Sequence, residues 1–459
     1  MTRYESVVDA VGGTPLIRLT RSAAHLRPRI YVKPEWQNPG GSVKDRAALS
    51  MVRAAEADGS LRPGGTVVEV TSGNTGIGLA LIAAHLGYRS VIFTSSSIAQ
   101  EKRSQLRAYG AEVRLVDAFV PKDHPDSLRS TAERFVAQEP GAWLAAQYDN
   151  PANPAAHWQT TGPEVWADTE GAVTHLVSTV GTGGTISGTG GYLKQVSEGR
   201  VVVVGADPLT STYGGGDGSQ KYIEGAGHFV HPQAQTDQWP TAFDTSVVDR
   251  YVRIDDRRAI DAVRELARTE GILAGGSAGV ALAAAFEVAE ELGEHDVVVV
   301  LLPDSGRTYL STYFNDEWLA ATGFAAADAS STVGEHATTA TFIDASESRA
   351  AVLTRLGDGA RGRDLVVVHH RERRDLPAPA SDVVGVTTLE RIAELAGDTP
   401  IATAATPVEF RLGTGQARDD ALRRLQDAPK TALALVLDAG RVTGLVRKAD
   451  LESPPSRQR

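Results

Sequence analysis

The 459-residue chain contains no cysteine and only two methionines. Without cysteine it can form no disulfide, thiolate zinc site or iron–sulfur cluster, and it has no thiol of its own to act as a nucleophile. If the protein handles sulfur, that sulfur belongs to a substrate. His228 and His231 lie three positions apart but lack a nearby third ligand, so we expect no metal site there.

Long hydrophobic runs are also lacking. The longest, such as Val201–Val204 and Val297–Leu302, have the length of a strand and fall far short of the ~20 residues that cross a bilayer. The first residues lack a basic start followed by an apolar run, so the sequence predicts a cytoplasmic protein without a signal peptide. A net charge of −11 disfavours nonspecific nucleic-acid binding. These absences favour small-molecule chemistry.

Lysine is scarce, because only eight of the 46 basic residues are lysines. One of them, Lys44, lies in the glycine-containing segment Asn38–Arg46. Arginine can replace a lysine that serves only as a surface cation, but it cannot replace an amine that must condense with an aldehyde. We therefore predict that Lys44 is the catalytic amine.

Short Val- and Ile-rich runs alternate with Ala-, Leu- and Arg-rich stretches of helical period, which is the pattern of an α/β fold. A loop rich in Gly, Ser, Thr or Asn follows each predicted strand. Parallel sheets bind ligands at the carboxyl ends of their strands, so these loops should converge on one crevice. The predicted strands are Thr66–Thr71, Ser90–Thr94, Glu112–Val116, Trp143–Gln147, His175–Val180, Val201–Gly205 and Val297–Leu302.

Three of these loops are candidate binding elements. Thr71–Gly76 precedes the apolar helix Ile77–Leu86 and offers N–H groups, hydroxyls and an amide to a carboxylate. Gly181–Thr185 is a predicted phosphate cradle, since it lacks the third glycine and the downstream acid of a dinucleotide fingerprint. Gly275–Gly279 carries Ser277, which suits a ring nitrogen or a phosphate. Glycine-rich turns are common in α/β folds, so the argument depends on all three together.

Six ordered segments carry a resemblance to a known family: NPGGSVKDR, TSGNTGIGLA, QYDNPANPAAH, GTGGTISG, EGAGHF and GGSAG. They resemble those of the cystathionine β-synthase and cysteine synthase family, which are pyridoxal-phosphate-dependent β-replacement enzymes of fold type II. The resemblance runs from Val11 to about Gly323. It implies two open twisted α/β subdomains with the cofactor between them, followed here by a smaller α/β module.

The resemblance also implies residue roles. Lys44 would form the internal aldimine with pyridoxal 5'-phosphate and then act as the base that removes the substrate's α-proton. Asn74 would bind the cofactor's ring oxygen, and Ser277 would face its pyridine nitrogen. The phosphate would be held by Gly181, Thr182, Gly183, Gly184 and Thr185. The substrate carboxylate would be held by Thr71, Ser72, Thr75 and Gln147, with Tyr148 and His228 lining the pocket.

The segments Gln147-Tyr148 and Pro303–Tyr309 resemble the cystathionine β-synthase branch. That branch condenses serine, or an activated serine, with homocysteine through an aminoacrylate to give cystathionine. His228 stands where animal synthases typically have tyrosine and cysteine synthases a small residue, so the acceptor stays open. The alternatives are a cysteine synthase using acetylserine or phosphoserine with sulfide, or a relative with a nitrogen nucleophile. A loop role for His228 and a non-catalytic binding protein are the plainer alternatives, and the intact Lys44 and phosphate loop argue against the second.

The tail has two similar endings, Gly385–Arg391 and Gly444–Asp450, which resemble a tandem pair of CBS domains. Such domains bind adenosyl ligands through a hydroxyl and an aspartate, but the first ending has Arg391 in place of the aspartate. The second has Arg447 in place of the hydroxyl. Because each half-site lacks one partner, an adenosyl ligand is doubtful, and a structural or dimer-building role is the alternative.

The sequence thus predicts a catalytic domain, a linker, a paired regulatory module and a tail. The resemblance implies a homodimer or a higher homo-oligomer. The pair His369-His370 is predicted to lie in a solvated turn. The predicted limits are 1–322 for the catalytic domain, 323–334 for the linker, 335–453 for the tandem CBS-domain module and 454–459 for the tail.

Overall fold

The computed structural model describes residues 3–71, 73–95, 98–116, 120–231, 233–325, 331–360, 362–368, 378–396 and 399–453. Ser72, the pair His369-His370 and the tail at 454–459 lie outside this part. The chain divides into two compact units, residues 1–310 and 311–459. In the described part, no helix combines the length and the apolar character that a bilayer span requires.

The first unit has the alternating strands and helices that the sequence predicts. Its strands are β1 (Ile17–Arg18), β2 (Arg29–Pro34), β3 (Thr66–Val70), β4 (Arg89–Thr94), β5 (Glu112–Leu115), β6 (Ala142–Leu144), β7 (His175–Thr179), β8 (Val202–Pro208), β9 (Arg250–Ile254) and β10 (Val297–Leu302). Its helices are α1 (Lys44–Asp58), α2 (Asn74–Leu86), α3 (Gln100–Ala108), α4 (Leu128–Gln138), α5 (Ala152–Gln159), α6 (Thr161–Asp168), α7 (Gly184–Val196), α8 (Asp256–Glu270) and α9 (Gly276–Ala289).

These strands form two sheets. The larger has six strands in the order β1-β2-β10-β7-β8-β9, and all its pairs are parallel except β1 with β2. The smaller has four parallel strands in the order β5-β4-β3-β6. Every residue of β10 is buried, as expected for a central parallel strand covered on both faces. The β10 strand is therefore an interior strand of the larger sheet, paired with β2 on one side and β7 on the other.

All seven predicted strands are present, with ends shifted by a few residues. Sequence analysis missed β1, β2 and β9; β2 and β9 place charged or aromatic residues between the apolar ones, and this weakens the signal of a buried strand. Helices α2 and α9 begin at Asn74 and Gly276, several residues before the predicted starts. The candidate binding loops therefore continue directly into the first turns of their helices.

The second unit repeats one order of elements. Its strands are β11 (Thr338–Thr339), β12 (Thr341–Asp344), β13 (Asp364–Val368), β14 (Val383–Thr388), β15 (Phe410–Gly413), β16 (Leu433–Asp438) and β17 (Arg441–Arg447). Its helices are α10 (Asp316–Thr322), α11 (Arg349–Leu356), α12 (Leu389–Ala393), α13 (Arg418–Arg424) and α14 (Lys448–Glu452). The succession β12-α11-β13-β14-α12 recurs as β15-α13-β16-β17-α14.

Each half of this repeat has a parallel pair followed by an antiparallel hairpin. Apolar residues of both sheets, including Val366 and Leu435, share one buried cluster. Helix α10 packs against β15 and β16 within this unit, whereas the sequence prediction placed these residues in the catalytic domain, which it ended at 322. The remaining domain limits stay a prediction.

A buried ion-pair network joins β2, α1 and α6 beneath the site. The Arg46 guanidinium donates to Glu35 at 2.7 Å and to Glu164 at 2.6 Å, and Lys33 lies 2.9 Å from Glu164. Burial by itself would lower the pKa of Arg46, but Glu35 and Glu164 raise it. Burial would raise the pKa of Glu164, but its hydrogen bonds from Arg46 lower it to about 2. The network therefore fixes the helix that Lys44 begins.

We predict that Glu164→Gln lowers the free energy of unfolding of the first unit by about 2–3 kcal/mol at neutral pH, because it leaves buried cations with a missing partner. Since the pKa of Glu164 falls from 4.5 to about 2 on folding, its contribution is complete above pH 4.5 and is lost as the pH falls toward 2. Urea unfolding of both proteins across this range measures the difference. The matched control Glu291→Gln removes an exposed carboxylate that pairs with Arg250 and should unfold like the wild type. A Glu164→Gln effect that does not shrink in acid would contradict the assignment.

Candidate functional site

Lys44 is the first residue of α1, in the connection that follows β2. Its backbone N–H donates to the Ser42 hydroxyl at 3.2 Å, and the Val43 N–H donates to the Pro303 carbonyl at 2.8 Å. These bonds hold the start of α1 against the loop after β10. Burial lowers the pKa of Lys44, and the nearby Asp304 carboxylate opposes part of this effect. The amine is therefore easier to deprotonate than an exposed lysine.

Asn74 begins α2, directly after the loop that follows β3 of the smaller sheet. Its side chain contacts the loop that follows β10 of the larger sheet. Its Nδ2 donates to Oδ2 of Asp304 at 2.8 Å. The same oxygen accepts from the Tyr309 hydroxyl at 2.7 Å, and Lys102 Nζ lies 2.9 Å from that hydroxyl and 2.6 Å from Glu224. A chain of polar contacts thus runs from the loop after β3 to the loop after β10.

The phosphate loop predicted at 181–185 forms the amino end of α7. Gly183 has φ +85°, and a Cβ there would lie 2.2 Å from Cβ of Phe243. Among the described residues, none accepts a hydrogen bond from the backbone N–H groups of Thr182, Gly183, Gly184 or Thr185. A row of free N–H groups at a helix amino end is a binding element for an anion such as a phosphate.

Asn153 joins this loop to the substrate-side residues. Its Nδ2 donates to the Thr182 hydroxyl at 3.0 Å and to the Gln147 carbonyl at 2.8 Å. On the other side of the loop, Thr185 Oγ1 lies 3.2 Å from Nε2 of the buried His157. Burial holds the pKa of His157 well below its usual value, so His157 is a neutral partner. The loop is therefore positioned by an amide and a neutral imidazole, neither of which would repel a phosphate.

Thr75 and Gln147, both predicted to bind the substrate carboxylate, are hydrogen-bonded through Thr75 Oγ1 and Gln147 Oε1 at 2.5 Å. Thr71 lies at the start of the same loop, where its hydroxyl accepts from the Gly73 N–H at 3.1 Å. Gln147 in turn donates its N–H to Glu69 at 3.0 Å, and burial raises the pKa of Glu69 to about 7. The fourth predicted member, Ser72, is not among the described residues.

Ser277 lies in the first turn of α9 and is 2% exposed. Two other loops approach it. A Cβ added to Gly225 would lie 3.8 Å from the Ser277 hydroxyl, and a Cβ on Gly181 would lie 2.8 Å from the Gly225 carbonyl. The backbone of Gly225 is thus packed between the phosphate loop and Ser277, and a side chain at Gly181 would close this gap.

His228 is connected to the phosphate loop through Tyr213. The Tyr213 hydroxyl donates to the Gly181 carbonyl at 2.8 Å and lies 3.5 Å from His228 Nδ1. On its other side, His228 Nε2 lies 2.9 Å from Asp237 Oδ1. Burial lowers the pKa of His228, although Asp237 opposes this. The histidine is half-buried and paired, whereas the plainer sequence interpretation gave it a solvent-facing loop position.

Tyr148 is 40% exposed, and its carbonyl accepts from the Ala242 N–H at 3.0 Å. Lys122 Nζ lies 5.9 Å from the centre of its ring. A separate groove of about 910 Å³ runs along α1 and α5, and its lining includes none of the predicted site residues.

Sequence reasoning did not assign roles to several residues that connect the site. Asp304 and Glu224 lie within segments that resemble the family, but the sequence alone does not indicate a role for either carboxylate. Asn153 and His157 lie in the segment after Gln147, and the aromatic Tyr213 has no motif around it. A buried polar residue acts here through long-range contacts, which a single sequence does not reveal.

The pyridoxal-phosphate dependent enzyme family matches residues 7–304. Cystathionine β-synthase of Apis mellifera is 38% identical over 325 residues, which cover 69% of this chain and 63% of that protein. Cystathionine β-synthase of Saccharomyces cerevisiae is 40% identical over 331 residues, and the match spans about 64% of its length. Cysteine synthase 1 of Emericella nidulans is 40% identical over 328 residues, which cover 69% of this chain and 86% of that protein.

Solved structures show the same likeness. The crystal structure of O-ureido-L-serine synthase has a TM-score of 0.62 and 40% sequence identity, and the match covers 70% of this chain and all of that one. A hydrogen sulfide-producing enzyme from Fusobacterium nucleatum has a TM-score of 0.62 and 33% identity, with 67% of this chain covered. These relatives carry out different reactions by their names, so the likeness is to the family as a whole.

We predict that Gly184→Ala weakens binding of pyridoxal phosphate by at least about tenfold, because a Cβ there would lie 2.1 Å from Asn153 Oδ1 and displace the amide that holds Thr182. Absorbance titration of the cofactor-free protein measures this affinity. The matched control Gly199→Ala also replaces a glycine, at φ +78° with nothing within 4 Å, and should bind like the wild type. Equal affinities for wild type and Gly184→Ala would argue against the phosphate loop.

Proposed function

The chain belongs to the family of pyridoxal-phosphate dependent enzymes, and on that premise we propose that it condenses L-serine, or an activated serine, with L-homocysteine to give L-cystathionine. Its curated relatives include cystathionine β-synthases and cysteine synthases, which belong to one β-replacement family. The observation that carries the proposal is that Lys44, a half-buried lysine at the start of α1, follows β2 while the loop at 181–185 follows β7, and both strands flank β10 in parallel. The N–H groups of that loop have no acceptor in the described part of the chain.

The residues present fit the cofactor. A Cβ at Gly183 or Gly184 would collide with Phe243 or Asn153, so these glycines let the loop take its conformation, and its free N–H groups suit a phosphate dianion. Lys44 offers the amine and Ser277 a buried hydroxyl. When bound, pyridoxal phosphate supplies an aldehyde that condenses with amines and a ring that withdraws electrons from the substrate's α-carbon.

Lys44 also has the properties of a base for the substrate's α-proton. Burial lowers its pKa, so more of it is neutral near physiological pH than for an exposed lysine. The Thr71 hydroxyl and the second Nε2 hydrogen of Gln147 can donate to a carboxylate at the amino end of α2, and Thr75, whose hydroxyl donates to Gln147 Oε1, would join them by turning its hydroxyl toward the substrate. Gripping the carboxylate there would orient the α-carbon for proton removal.

The acceptor side of the site contains Tyr148, His228 and Asp237. The neutral imidazole of His228 is paired with a carboxylate, an arrangement that suits a group exchanging a proton with a thiol. Gln147-Tyr148, together with the resemblance of the tail to the cystathionine β-synthase branch, supports homocysteine as the acceptor. Cysteine synthase with acetylserine or phosphoserine and sulfide is equally supported by the relatives, and it is our second candidate.

We further propose that the second unit is a tandem pair of CBS domains, on the basis of its repeated order of elements. At the starts of α12 and α14, the groups that could bind a nucleotide already have partners within the unit. Thr388 Oγ1 accepts from the Arg391 N–H at 3.4 Å, and Asp450 accepts from the Arg447 N–H at 2.9 Å. Arg447 also pairs with Asp364. Because these groups already serve helix starts and ion pairs, we favour a structural role over an adenosyl ligand, and we expect assembly into a homodimer or higher oligomer.

Substrate choice is tested by adding L-serine and O-acetyl-L-serine separately to the cofactor-loaded protein, followed by homocysteine or sulfide. We expect a change in the cofactor's visible absorbance with serine and cystathionine as the product, identified by mass. Product formation only from O-acetyl-L-serine with sulfide would instead support the second candidate. No spectral change with either amino acid would contradict β-replacement.

We predict that Lys44→Ala and Lys44→Arg both keep the fold, bind the cofactor without a covalent bond and lose turnover. The alanine side chain has no amine, and the arginine guanidinium stays protonated at working pH. Borohydride treatment followed by mass spectrometry detects the covalent adduct, which should be present in the wild type and absent from both variants. The control Lys194→Ala, which removes a lysine paired with Asp249, should retain the adduct. A normal adduct in Lys44→Ala would rule out the assignment.

A further inference from the structure

We propose that Asp304 is a positioning residue of this site, which fixes the amide of Asn74 and serves as the counter-ion of the Lys44 ammonium. The inference rests on the proposed function only in assuming that pyridoxal phosphate binds at Lys44. It adds a role for a carboxylate that the resemblance does not assign.

The first argument is the position of Asp304. It lies two residues after the end of β10 and forms an antiparallel bridge with Ser42, which lies two residues before Lys44. The neighbouring Val43 N–H donates to the Pro303 carbonyl at 2.8 Å. Asp304 is 2% exposed, so its charge is little screened by water. Burial lowers the pKa of Lys44, and the Asp304 carboxylate acts in the opposite direction and raises it.

The second argument is the direction of the Asn74 amide. A carboxylate only accepts hydrogen bonds, so the group of Asn74 that faces Asp304 Oδ2 at 2.8 Å must be the Nδ2 amino group. That group has two hydrogens, and this contact uses one of them. The second remains to donate to an oxygen of a bound ring. Without the carboxylate, the amide would be able to turn and present its oxygen there, which would repel an anionic ring oxygen.

The third argument is the other oxygen of the carboxylate. Asp304 Oδ1 is buried and has no hydrogen-bond partner in the described part of the chain. On one side it faces the backbone of Gly275, where a Cβ would lie 2.1 Å away. A buried carboxylate oxygen without a donor costs free energy. Although Lys44 makes no hydrogen bond to this oxygen in the structure, its ammonium is the charged donor whose pKa Asp304 raises, and a shift of the lysine side chain toward Oδ1 during the reaction would give the oxygen its donor.

The test uses the full chain prepared without cofactor. Pyridoxal phosphate is mixed with wild type and with Asp304→Asn at a series of pH values, and the rate of appearance of the bound cofactor's visible absorbance is recorded. The rate follows the neutral fraction of Lys44. Removing the carboxylate removes the charge that favours the ammonium, so the half-maximal rate should move to lower pH. Asp304→Asn keeps an acceptor oxygen, so the loss of the fixed Asn74 direction is tested with Asp304→Ala, for which we expect affinity for the cofactor to fall about tenfold.

The matched control is Tyr309→Phe. It removes the hydroxyl that donates to Asp304 Oδ2 at 2.7 Å but keeps both the carboxylate and Asn74. We expect its rate profile to have the wild-type midpoint. An unchanged midpoint in Asp304→Asn would overturn the proposal, and so would an equal shift in Tyr309→Phe, because the effect would then come from packing. If Asp304→Asn does not fold, the smaller Asp304→Ser provides the same comparison.

A second variant separates the two parts of the role. Asn74→Ala keeps the Asp304 charge, so its midpoint should equal that of the wild type while its affinity falls. A shifted midpoint in Asn74→Ala would contradict the separation of the Asp304 charge effect on Lys44 from its fixing of the Asn74 amide. None of these measurements uses an amino-acid substrate. A protein that forms no cystathionine but shows the shifted midpoint would therefore contradict the proposed acceptor and leave the inference on Asp304 intact.

Discussion

The site depends on the parallel pairing of β10 with β2 on one side and β7 on the other. Parallel strands end at the same edge of a sheet, so this pairing brings the loop of Asp304 next to the connection that carries Lys44 and next to the phosphate loop. The fully apolar sequence of β10 fixes it as a central strand. The six buried valine and leucine residues of β10 thus determine where the loops of the site are placed.

The catalytic unit was largely predictable because its signals are local. Apolar runs marked the strands, and the glycines at 181, 183 and 184 marked a loop that accepts no side chain. Lys44 became the candidate amine because of its rarity and its setting. The polar residues that orient these elements were not predictable, because Asp304 meets Asn74 from 230 positions away. The Arg46 network was missed for the same reason, since Glu164 is 118 positions distant.

The second unit posed a different problem. Its two endings were recognised as similar, but the short elements of each half carry few periodic residues, so their limits were not drawn. The structure adds a repeated order of strands and helices, which places Thr388 and Arg447 at equivalent helix starts. It also assigns α10 to this unit, because the helix packs on β15 and β16. A helix at a domain boundary is defined by its packing partner, and a sequence pattern does not name that partner.

The hydrogen bond between Asn74 and Asp304 joins the loops of two separate sheets. Any opening motion that draws the smaller sheet away from the larger one must stretch this bond, so the equilibrium between open and closed forms includes its free energy. By thermodynamic reciprocity, a ligand that strengthens the bond favours closure, and closure favours that ligand to the same degree. The affinity for a ligand that contacts Asn74 is therefore coupled to the equilibrium for separating the two sheets.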